Sequence, residues 1–132
     1  MVDALKQHFP GVTLRFDTRV EGGCSRRRPD VLLDMGSHAI IVECDENQHK
    51  GKGYSCENKR MMELFQDLGH RCVVFIRFNP DKYRDFPGCF IATNNGRRVE
   101  RREWKRRISV LVECSRRFMN DPPSQEVTVE KL

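Results

Sequence analysis

The sequence predicts an α/β domain, a central mixed β-sheet flanked by helices, and three observations carry that expectation. First, His38–Asp45 (HAIIVECD) and Arg71–Phe78 (RCVVFIRF) hold near-continuous apolar runs, the pattern of strands covered on both faces. Second, Met61, Leu64, Phe65 and Leu68 lie between them at i, i+3, i+4 and i+7, a helical period. A helix joining two strands of one sheet implies a parallel crossover. Third, Asp30–Asp34 (DVLLD) precedes the first run by only Met35–Ser37, a connection short enough for an antiparallel hairpin.

The elements follow in order. Val2–Phe9 suits a short helix, stopped by Pro10 and Gly11. Val12–Val20 alternates Val12, Leu14, Phe16 and Thr18 with Thr13, Arg15, Asp17 and Arg19, a half-buried strand. Glu21–Gly23 breaks the chain before CSRRRPD. After the hairpin, Lys50–Gly53 is a glycine-lysine loop. The helix that follows spans Tyr54–Leu68, with Ser55 a fitting N-cap and Gly69 placed to end it. Asn79 and Pro80 close the Arg71–Phe78 strand. Residues 81–96 are loop-rich, with room for a short strand at Phe90–Ala92. A long helix is expected over Arg101–Phe118, with Trp104, Ile108, Leu111, Ser115 and Phe118 on one face. Residues 1–119 thus read as one domain and 120–132 as a loose tail.

Composition narrows the functional classes. The chain of 132 residues carries 24 Lys plus Arg against 19 Asp plus Glu, a net charge of +5. The segment Arg97–Arg107 alone holds seven basic and two acidic residues, and Arg26, Arg27 and Arg28 form a second cluster. Such patches suit a polyanion, nucleic acid first, although a solvated helix face is the plainer explanation of either run. No stretch is long and apolar enough to span a membrane, so a membrane partner is not expected, and the N-terminus is too polar for a secretory segment. Six cysteines without a CxxC pair suggest reduced thiols and an intracellular setting, cytoplasm or nucleus. Cys44 and Cys72, inside apolar strands, are expected to be buried. His38 and His70 read as surface or edge residues.

The chemistry concentrates in the acids. On a strand ending at Asp45, Glu43 and Asp45 project to one side. The hairpin brings Asp30, thirteen residues before Glu43, beside them. Carboxylates gathered at the end of a buried strand are costly unless a cation sits with them. Mg²⁺ or Mn²⁺ takes hard oxygen ligands and keeps several waters, so Asp30, Glu43 and the carbonyl of Cys44 would suffice. His49 could accept or relay a proton. The competing explanation makes Glu43 and Asp45 ion-pair acceptors for Arg60 or Arg77, Asp30 a hairpin cap or a partner of Arg28, and Glu57 with Arg60 a local helix pair.

The order Pro29-Asp30, an apolar strand, then Glu43-Cys44-Asp45 resembles the PD-(D/E)xK nuclease superfamily. Asp45 stands where lysine is usual there. The string IVECDENQH, then Tyr54, Glu57 and Arg60, then LGHRCVVFIRFNPD, is similar to the branch of very-short-patch-repair and EDxHD homing endonucleases. The likeness covers roughly Arg28–Asp81. It implies a restriction-endonuclease-like fold and Mg²⁺- or Mn²⁺-dependent cleavage of DNA. Asp30, Glu43, Cys44 and Asp45 would form the metal site and His49 would serve acid–base chemistry. Gln48, Glu57 and Arg60 would support the site. Glu46, where relatives often carry glycine, departs from the pattern.

Under this expectation Arg26, Arg27, Arg28, Lys50, Lys52, Arg97, Arg98, Arg101 and Arg102 contact nucleic acid, duplex DNA before single strands. Phosphate contacts of this kind bind with strong salt dependence and little sequence preference. No dedicated base-reading module is apparent, so sequence preference would need a partner domain, a homodimer or loops. Two alternatives stand beside the nuclease: a catalytically silent nucleic-acid-binding domain of the same fold, and a zinc-stabilised interaction protein. Structural Zn²⁺ is the lesser expectation. Cys24, Cys56 and His49 flank the site, but closed zinc sites pair ligands a few residues apart and no cysteine here has a near partner.

Overall fold

A computed structural model describes residues 1–44, 54–80 and 88–132, without the side chains of residues 54–56, 90–92 and 97. The elements are α1 (Val2–His8), β1 (Leu14–Phe16), β2 (Val31–Asp34), β3 (His38–Cys44), α2 (Tyr54–Asp67), β4 (Cys72–Phe78), β5 (Phe90–Thr93), β6 (Gly96–Val99), α3 (Arg101–Asn120) and β7 (Val127–Lys131). Five strands form a mixed sheet in the order β1-β2-β3-β4-β7, and β5 and β6 make a separate two-stranded sheet.

The apolar runs form the strands they predict. β2 and β3 pair antiparallel, with Val31 opposite Val42 and Asp34 opposite Ala39. β3 and β4 pair parallel from His38–Cys72 to Cys44–Phe78, as a crossover through α2 requires. Alternation then sorts the core into two layers. Val31, Leu33, Ile40, Val42, Val74, Ile76 and Phe78 pack with Leu5 of α1 and with Ile108, Leu111 and Phe118 of α3. Leu32, Ala39, Ile41, Val73 and Phe75 face Leu64 and Phe65 of α2 and Leu68 just beyond its end. At about 1.5–3 kcal/mol for each large apolar side chain, this double covering is the main stabilising contribution.

Four expectations are corrected. The residues read as a loose tail instead supply β7, which pairs parallel with β4 from Val73–Val127 to Arg77–Lys131. The Val12–Val20 strand shrinks to Leu14–Phe16, because Asp17 turns the chain with φ of 45°. Cys44 is exposed and Cys72 only half-buried, since β3 runs past the core at one end and β4 enters it at the other. His38 is buried, its ring nitrogens 2.8 Å from Ser37 Oγ and 2.6 Å from the Phe118 carbonyl oxygen, which ties β3 to the end of α3.

Candidate metal and nucleic-acid site

The hairpin brings Asp30 and Glu43 together. Register places Val31 opposite Val42, so the next pair outward is Asp30 and Glu43, both on the α2 side of the sheet. Backbone N–H groups bind both carboxylates. The Cys44 N–H donates to Asp30 Oδ2 at 2.8 Å, and the Asp30 N–H donates to Glu43 Oε2 at 3.5 Å. Among the described residues nothing engages the second carboxylate oxygen of Asp30. The Glu43 side chain is only 14% exposed, and its pKa lies above the usual carboxylate value, because burial and then the nearby Asp30 charge outweigh the attraction of Arg60.

Arg60 is the third member. From α2 its Nε donates to Glu43 Oε1 at 3.0 Å and its Nη2 to Glu43 Oε2 at 3.3 Å, while Nη2 also reaches the Arg28 carbonyl oxygen at 3.1 Å. The expected Glu57–Arg60 helix pair does not form. Arg77 on β4 donates instead to Glu57 at 2.9 Å, so each helix residue reaches a different strand. These crossed pairs dock α2 against the C-terminal ends of β3 and β4. The Glu43–Arg60 pair is the one that the competing explanation names from sequence, whereas Glu57–Arg77, a contact across elements, was not anticipated there.

Asp45, Gln48, His49, Lys50 and Lys52 lie outside the described residues, as does the side chain of Cys56. Among the described residues no cluster of three or more His, Cys, Asp or Glu side chains is placed to hold a metal ion. Asp30 and Glu43 nonetheless suit a hard divalent cation as two of its ligands. Both offer oxygen, and Glu43 carries an unrelieved desolvation cost that added positive charge would lower.

The basic residues divide sharply. Arg27 is committed to Glu63 at 2.8 Å, and Lys59 shares that carboxylate at 4.0 Å. Glu63 went unnoticed in the sequence, although its i,i+4 spacing from Lys59 was visible there. Arg28 lies 3.9 Å from the exposed Asp17, and Arg26 is exposed with φ of 64°. Arg98, Arg101, Arg102 and Lys105 are exposed and have no carboxylate partner among the described residues. Arg97 shares their stretch, its side chain outside the description. This group runs from β6 into the first turns of α3, at the same end of the sheet as the acids. Arg107 donates to the Asn79 carbonyl oxygen at 2.6 Å and Trp104 packs edge-on against Phe78, the register partner of Cys44.

Among the described residues no helix is long and apolar enough to cross a membrane. Compared with family models, curated proteins and solved structures, the chain matches none.

Proposed function

We propose that the chain is a metal-dependent endonuclease that hydrolyses phosphodiester bonds of DNA, built on a restriction-endonuclease-like domain. The observation that carries this reading is the Asp30–Glu43 pair. Two carboxylates meet at the end of a buried hairpin, one with an oxygen that no described residue engages and the other with a pKa raised by burial. Asp30 and Glu43 would hold Mg²⁺ or Mn²⁺, with Cys44 through its carbonyl and Asp45 in the usual lysine position. A bound cation of this kind neutralises charge on the scissile phosphate and acidifies a coordinated water. The chain's own residues do the rest. The Cys44 N–H fixes the Asp30 carboxylate, Arg60 orients Glu43, His49 takes the proton, and Arg98, Arg101, Arg102 and Lys105 hold the DNA backbone.

One observation favours a second reading, a silent DNA-binding domain of the same fold. The Arg60 fork already donates to both oxygens of Glu43, so a metal would have to share them with a guanidinium.

Incubation of supercoiled plasmid and of duplex oligonucleotides with Mg²⁺ or Mn²⁺ separates the two. Cleavage lost in Asp30→Ala and in Asp45→Ala is the expected result. Binding without cleavage in either metal would favour the silent domain, and cleavage surviving both substitutions would remove the site.

A further inference from the structure

The β5–β6 hairpin takes no part in the acid site, yet its construction is that of a probe. Among the described residues it is hydrogen-bonded to no strand of the main sheet. Two strands alone are marginally stable, so such a ribbon must be anchored at its base. Here the Cys89 N–H donates to the Pro80 carbonyl and the Glu100 N–H to the Cys89 carbonyl, both at 2.7 Å, with Cys89 fully buried. Pro80 lies two residues beyond Phe78, which pairs with Cys44, so the ribbon springs from the sheet end that carries Asp30 and Glu43.

Its tip is bare. Thr93 pairs with Gly96 across a turn made by Asn94 and Asn95, and all four residues are exposed. Among the described residues nothing accepts from or donates to the side chains of Thr93, Asn94 or Asn95. Gly96 closes the turn with φ of 128°, a conformation that other residues rarely adopt. Behind the tip come Arg98, then Arg101, Arg102 and Lys105 of α3, all exposed and without an acid partner among the described residues. A pair of polar amides therefore sits ahead of a block of exposed cations.

We propose that the β5–β6 hairpin enters the major groove of duplex DNA, where Asn94 and Asn95 read base edges while Arg98 and the first turns of α3 hold the flanking phosphates. The dimensions agree. The major groove, about 12 Å wide and about 8.5 Å deep, admits a two-stranded ribbon, whereas the minor groove is only about 6 Å wide. Four-residue strands at about 3.4 Å per residue reach roughly 13 Å, enough to bring the tip to the groove floor. Asparagine both donates and accepts, which matches the N6 and N7 edge of adenine. The deep, narrow major groove of A-form RNA excludes such a ribbon, so the geometry favours a DNA duplex over an RNA duplex. This inference rests on DNA being the substrate, but not on cleavage.

Its test therefore omits metal. The full chain, in EDTA, is used to select from a random-sequence duplex DNA pool, and affinities are measured by fluorescence anisotropy. Wild type should enrich adenine-containing sites. Asn94→Ala with Asn95→Ala should reduce that preference by roughly 5- to 150-fold and leave affinity for unselected duplex nearly unchanged. Asn94→Asp with Asn95→Asp, which keeps good turn residues but removes the donors, should abolish the preference too. Arg98→Ala and Arg101→Ala should weaken binding to every sequence and lower the salt slope by about one each. Every readout is taken in EDTA, where metal-dependent cleavage cannot occur, which separates the inference from the nuclease reading. Absence of duplex binding, absence of any preference in wild type, a preference that survives both asparagine variants, or RNA duplex bound as tightly as DNA would each overturn it.

Discussion

Glu43 and Glu103 are both shielded from solvent and both gripped by arginine, yet their acidities move in opposite directions. Glu103, in the first turn of α3, receives Arg106 at 2.6 Å and Arg107 at 2.8 Å, and no neighbouring acid figures among the causes of its shift. Those two guanidinium groups, Arg106 first, pull its pKa down to about 2. Glu43 has one guanidinium, more desolvation to offset, and Asp30 next to it, so its pKa rises. The first arrangement is electrostatically complete. The second has room for another positive charge, which is what distinguishes a candidate cation site from a structural ion pair.

The largest expected effect falls on the complete site. Glu103→Ala would leave Arg107, only 8% exposed, without its carboxylate. Urea denaturation should show a loss of about 3 kcal/mol, the low end for a broken buried pair because Arg106 is 44% exposed. A loss below about 0.5 kcal/mol would break the contrast. Asp30→Ala should behave the other way round. Cleavage should drop by more than about 100-fold, beyond the usual cost of an outer-sphere partner, while stability falls by only about 1 kcal/mol for the lost Cys44 hydrogen bond.

Arg60→Ala tests how far Glu43 wants a cation. It should cost about 1–3 kcal/mol by leaving a buried carboxylate unpaired. Added Mg²⁺ should then raise the melting temperature of the variant more than that of wild type. Equal shifts in the two proteins would argue that no cation competes for this position.

The smallest effect is in pH dependence, and its signs differ between the sites. Glu103 has a depressed folded pKa, so its contribution is present above the ordinary value of 4.5 and is lost as pH falls towards about 2. Glu43 has a raised folded pKa, so its contribution is present below 4.5 and is lost as pH rises through the raised value. Stability curves of Glu103→Gln should be flatter than wild type below pH 4.5, and those of Glu43→Gln flatter just above it. Parallel curves for both variants would show that the two glutamates do not differ.

Much of this arrangement was legible in the sequence where local pattern decides it. The β2–β3 hairpin, the α2 period and the β4 run each announce themselves through apolar spacing, and the Asp30–Glu43 meeting follows from the hairpin. Elements fixed by distant partners were harder to see. Val127-Thr128-Val129 alternates, but it is short and follows Asp121-Pro122-Pro123, so only pairing with β4 makes it a strand. His38 gave no local sign of burial because its partner is the carbonyl of Phe118. Glu57 and Arg60 looked like one pair because they are three apart on a helix, yet β4 and β3 each claim one of them.

The position of β7 also bears on how the chain acquires its structure. β4 lies between β3 and β7, and its second neighbour is the last strand in the sequence. During synthesis one edge of β4 must therefore stay unpaired until α3 and residues 127–131 have emerged. Val73, Val74, Phe75 and Ile76 are buried in the finished sheet, so that waiting edge is apolar and open to pairing with other chains. Long-range parallel pairing of this kind closes late and slowly. A chain cut before Val127 would keep the proposed catalytic residues and still be expected to aggregate.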